Sequence, residues 1–118
     1  MPGISIHVVD VSRGVVASGM RVELFAVTGS GAQRLIVAGS LSKTGVLADP
    51  ALNGSFEPGF YEARFHIADY YRSSIGATAA VPFLDIVSYR FGLAEPEAHY
   101  HLPMKCTPWG YSCFRGGA

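Results

Sequence analysis

The chain has 118 residues, of which 49 % are hydrophobic and 15 % charged; that suits one domain with a packed core, being too short for two cores and too apolar for disorder. Nine Lys and Arg balance nine Asp and Glu, so no basic patch draws in nucleic acid. No run reaches the roughly eighteen apolar residues of a membrane span, and Met1-Pro2-Gly3 starts neither a positive nor an apolar leader, so the expected setting is cytoplasmic and away from membranes.

Ile4 to Val11 is rich in β-branched residues and runs into Ser12-Arg13-Gly14, the pattern of a strand and a turn. Ile4, Ile6 and Val8 share one face, and His7 lies on the other. Met20 to Val27 alternates more cleanly, with Arg21 and Glu23 opposite Val22 and Leu24, before Thr28-Gly29-Ser30-Gly31-Ala32 breaks it like a hairpin loop. Arg34 to Ala38 is a third strand, and after a polar connection Val46-Leu47-Ala48 reads as a short strand stopped by Asp49-Pro50. Gly59 to Ile67 is again strand-like, and Ala68 to Gly76 holds two helical turns closed by a glycine, the one helix expected. Leu84 to Phe91, His99 to Met104 and Tyr111 to Arg115 complete the strands.

Seven or eight short strands with one short helix predict an all-β, two-sheet β-sandwich, with residues 1–118 as a single domain. Tyr61, Phe65, Tyr70, Tyr71, Tyr89 and Phe91 read as core or interface packing. A neutral, half-hydrophobic chain has little charge to keep copies apart, so a homo-oligomer is expected. Cys106 and Cys113 are too few for a disulfide scaffold and lack zinc-site spacing, which leaves two reduced, partly buried thiols.

Candidate chemistry lies in the histidines. His99 and His101 are two apart on a strand and point to one face, where they could flank a ligand or serve as hydrogen-bonded structural residues. His7 sits among Ile and Val, where its ring must be exposed or satisfied. Phosphate loops, nucleophile elbows, dinucleotide fingerprints and metalloprotease helices are absent, and no metal or cofactor is expected.

The two ends of the chain carry a family resemblance. Ile6-His7-Val8-Val9-Asp10-Val11-Ser12-Arg13-Gly14, with Val22-Glu23-Leu24, resembles the first two strands of the transthyretin and 5-hydroxyisourate hydrolase family. His99-Tyr100-His101-Leu102-Pro103, Pro108-Trp109-Gly110-Tyr111-Ser112 and Phe114-Arg115-Gly116 resemble its C-terminal signature. Gly59-Phe60-Tyr61 and Asp69-Tyr70-Tyr71 are similar to its middle strand and short helix, so the resemblance covers essentially the whole chain.

The resemblance implies a transthyretin-like (prealbumin-like) sandwich and a homotetramer with sites at the dimer–dimer interface. It also implies a hydrolase of purine metabolism that opens the ring of 5-hydroxyisourate without cofactor or metal. Transthyretin has a lysine where the hydrolases have the first-strand histidine, so His7 points to the hydrolases, and His101 matches their other histidine. This pair is the expected acid–base machinery: one imidazole takes a proton from water as it attacks a ring carbonyl.

The family's arginine after a turn glycine aligns with Val46 after Gly45, and its C-terminal Tyr-Arg-Gly-Ser reads here Phe114-Arg115-Gly116-Gly117. The substrate-binding set implied is therefore Arg115 as the remaining anion contact, Val46, Lys43 as a substitute cation, His99 and Gly117. Losing one oxyanion donor typically costs about 100- to 1000-fold in rate. Two further readings thus stand beside the hydrolase: ring opening or cyclisation of a less polar heterocycle, and non-catalytic binding of a small molecule.

Overall fold

The computed structural model describes residues 2–76 and 79–117. Strand β1 (Gly3–Asp10) buries Ile4, Ile6, Val8 and Asp10 and leaves Ser5, His7 and Val9 half-buried on its other face, the period of two that a one-sided strand requires. There follow β2 (Val15–Val16), β3 (Arg21–Val27), β4 (Gln33–Ser40), β5 (Gly59–His66), β6 (Ile86–Leu93), β7 (His99–Thr107) and β8 (Gly110–Cys113). They form two four-stranded sheets in the orders β2-β1-β7-β8 and β4-β3-β5-β6. Between the sheets lie Ile6, Val8, Val22, Leu24, Phe65 and Leu102, each at most 1 % exposed. The expected two-sheet sandwich is therefore the fold.

The neighbours within each sheet run antiparallel except β1 and β7, which are parallel and join the two ends of the chain. Helix α1 (Ile67–Ile75) sits between β5 and β6 and buries Ile67, Ala68, Tyr70 and Tyr71 on one stripe, the helical spacing expected of that segment. Tyr61 and Phe65 are buried, while Tyr89 and Phe91 pack partly buried against the core.

Two local features differ from the sequence reading. Val46 makes a single bridge rather than a three-residue strand, because Asp49 accepts a hydrogen bond from Ala51 N at 2.8 Å and caps a 3-10 turn over Pro50–Leu52 that leads the chain away. The two-residue β2 was not expected, being too short to show an alternating pattern. Among the described residues no helix is long and apolar enough to cross a membrane.

Candidate active site

Strand β7 turns Tyr100, Leu102, Met104 and Cys106 into the core and His99, His101 and Pro103 to the outer face. The parallel register sets Ser5 beside His101 and His7 beside Pro103, so His7, Ser5 and the two β7 histidines share one surface. Ser5 Oγ lies 2.8 Å from His99 Nε2 and 2.6 Å from His101 Nδ1. One hydroxyl thus joins two imidazoles.

Two further segments flank this row. Val8 N donates to Gly45 O at 3.0 Å and Leu47 N to Ile6 O at 3.1 Å, which bridges Val46 to His7. On the other edge Gly116 N donates to His101 O at 2.8 Å. Both approaches need glycine. A Cβ on Gly45, whose φ is +78°, would lie 2.8 Å from Val16 Cβ and 2.9 Å from Val8 O, and a Cβ on Gly116 would lie 2.8 Å from His101 Cδ2.

Burial, followed by the neighbouring charges of His7 and His99, holds the pKa of His101 below its ordinary 6.5. His101 is therefore a neutral imidazole at neutral pH, the form that can accept a proton. A depression of about 470 Å³ is lined by Ser5, Val46, Asp49, Asn53 and His99 among others, and by neither His7 nor His101. A smaller apolar groove of about 220 Å³, between α1 and Pro108-Trp109, is lined by no histidine, carboxylate or thiol.

Of the residues expected in the site, the fold gathers His7, His99, His101 and Val46. Arg115 is exposed, and its guanidinium carbon lies 3.9 Å from the ring centre of Tyr100, a side chain that turns to the core side of β7. Lys43 is exposed in the turn before Gly45, and Gly117 is exposed with no atom within 4 Å of where its Cβ would stand. Ser5 was not singled out from sequence. Its one signal is shared parity with His7, and its importance comes from a partner in a distant strand.

The cysteines lie away from this surface. Cys106 is buried and Cys113 half-buried, both free, and burial pushes each thiol up to about 11. Among the described residues no three of His, Cys, Asp and Glu are grouped to hold a metal ion.

The pattern of the HIUase/Transthyretin family matches residues 4–116. The chain is 42 % identical over 117 residues to the 5-hydroxyisourate hydrolase of Deinococcus radiodurans, covering 98 % of this chain and 96 % of that one. It superposes on (S)-allantoin synthase with a TM-score of 0.87 and 33 % identity, covering 98 % of this chain but spanning only 43 % of that longer one. The 5-hydroxyisourate hydrolase of Klebsiella pneumoniae shares the fold with a TM-score of 0.76 and 24 % identity, over 99 % of this chain and 100 % of that one.

Proposed function

Because the chain belongs to the HIUase/Transthyretin family, we infer that it is a 5-hydroxyisourate hydrolase-like enzyme that opens a small cyclic amide or ureide with a histidine pair. The observation that carries this reading is the placement of His7 and His101 on one outer face of two neighbouring parallel strands. His101, held neutral, takes a proton from a water molecule as its oxygen attacks the ring carbonyl; the carbon–nitrogen bond then breaks and that proton passes from His101, by way of His7, to the leaving nitrogen. A cationic or hydroxyl donor steadies the developing oxyanion. Arg115 is the anion contact once it swings off Tyr100, and Lys43 adds positive charge at the mouth.

The half-buried outer face suits a site closed by other copies of the chain, and a cytoplasmic homotetramer with sites at the dimer–dimer interface is part of this proposal. No step needs a metal or cofactor.

A second reading is favoured by one contact, the bridge that puts an apolar Val46 beside His7. An apolar wall there trades charge recognition for hydrophobic area and suits a less polar heterocycle. The ultraviolet decay of freshly generated 5-hydroxyisourate, followed with wild type, His101→Ala and Val46→Arg, separates the two. Rapid decay that His101→Ala abolishes supports the hydrolase. No acceleration by wild type, with activity appearing in Val46→Arg, moves the substrate to the less polar class.

A further inference from the structure

We propose that Ser5 is a positioning residue that holds His101 in the tautomer a general base needs, with His99 setting the direction in which Ser5 acts. The proposal rests on the hydrolase reading for its catalytic consequence and on geometry for the tautomer. A backbone carbonyl can only accept, so the 3.4 Å contact between Pro2 O and His99 Nδ1 puts the proton of neutral His99 on Nδ1. His99 Nε2 then offers a lone pair, and Ser5 Oγ, 2.8 Å away, donates its single proton to it.

With that proton committed, Ser5 Oγ has only lone pairs left for His101 Nδ1 at 2.6 Å. His101 must therefore donate, carrying its proton on Nδ1 and keeping Nε2 bare. The proton's place on a neutral imidazole is set by what its nitrogens meet, and the Ser5 hydroxyl is the side-chain group that meets Nδ1. The chain also strengthens during reaction: once Nε2 has taken a proton from water, the ring is cationic and its Nδ1–H bond to Ser5 becomes charge-assisted. A contact that tightens as charge develops lowers the barrier rather than the energy of the resting complex.

Ser5 and His99 act on the proton transfer through His101, and the two halves of the proposal separate in one experiment. Long-range ¹⁵N–¹H correlation spectra of histidine-labelled protein, recorded without substrate, report which nitrogen of each ring is protonated. Wild type is expected to show His101 with Nδ1–H. Ser5→Ala should move the population toward Nε2–H, and Ser5→Thr should restore it.

His99→Phe should also move His101 toward Nε2–H, because the freed Ser5 proton then turns to His101 Nδ1. In turnover, Ser5→Ala should lower kcat about tenfold with KM within about twofold, the scale of losing a group that orients a functional ligand. His101 protonated on Nε2 in wild type, or a tautomer indifferent to both Ser5→Ala and His99→Phe, overturns the proposal. A shifted tautomer with unchanged kcat overturns its catalytic half. Absence of 5-hydroxyisourate turnover in wild type, with the tautomer as expected, counts against the hydrolase reading and leaves the positioning in place.

Discussion

Strands β1 and β7 carry two polar clusters on opposite faces, and the contrast separates architecture from chemistry. At the inner end of β1 the carboxylate of Asp10 is 0 % exposed and accepts from Ser12 Oγ at 2.6 Å, Tyr71 OH at 2.7 Å, Tyr70 OH at 3.0 Å and the amides of Ser12 and Arg13. Burial alone would raise its pKa, yet these donors together hold it below the ordinary 3.8. The same burial, with the carboxylate beside it, lifts Tyr70 to about 12. Both tyrosines belong to α1, so the cluster ties the helix to the sheet. Its acceptors are spent.

On the outer face Ser5, His99 and His101 form a smaller, half-buried cluster in which His101 Nε2 has no hydrogen-bond partner among the described residues. A buried polar group with every partner in place specifies packing, whereas a held imidazole with one open nitrogen can do work on a ligand.

The contrast would break most visibly at His101. His101→Ala is expected to lower kcat about 100- to 10,000-fold, the range for a positioned acid–base group, while its urea midpoint stays close to wild type; steady-state decay assays and denaturant titration read the two. Asp10→Ala should do the reverse, because the Tyr70 and Tyr71 hydroxyls lose a buried acceptor. A loss of about 2 to 4 kcal/mol in unfolding free energy is expected, with the folded fraction keeping kcat within a few-fold.

Gly116→Ala tests how tightly the outer cluster is held. The new Cβ would stand 2.8 Å from His101 Cδ2, so the ring must shift, and about a tenfold to hundredfold fall in kcat is expected with KM little changed. A pH titration sharpens the comparison further. Activity as kcat/KM should hold as pH falls through 6.5 and decline only below it, since His101 binds its proton more weakly than a free imidazole.

The fold should survive further into acid. Asp10 has a lowered folded pKa, so its contribution is complete above about 3.8 and is lost as pH falls through the lower folded value. Circular dichroism beside activity over that range should show activity leaving first. The smallest effect is expected at Lys43: Lys43→Ala should raise KM for an anionic substrate about two- to threefold at low salt, and the difference should vanish at high salt.

Much of this architecture is legible in the chain. The alternation of Ile4, Ile6 and Val8 against His7 fixes which face of β1 is buried, and the same logic puts His99 and His101 on one surface. Ala68 to Gly76 reads as two helical turns closed by a glycine, and α1, Ile67–Ile75, begins and ends within one residue of that span. Val46–Ala48 has the β-branched, apolar pattern of a strand but is cut short by a capped turn, a tertiary decision made where Asp49 meets Ala51 N.

What sequence alone determined was parity and kind: which side chains face the core, that the strands are short and many, and that the histidines lie at the two ends of a chain resembling a family of hydrolases. Tertiary structure alone decided register. Ser5 and His101 are 96 residues apart and meet because β1 and β7 pair in parallel; Val46 meets His7 because the loop after β4 returns to the edge of β1, and Arg115 lies on Tyr100 rather than on the histidine face. The physical reason is that an alternating pattern fixes the face a strand buries, while the partner it pairs with depends on closure of long loops and on packing across the sandwich, which no local run of residues encodes.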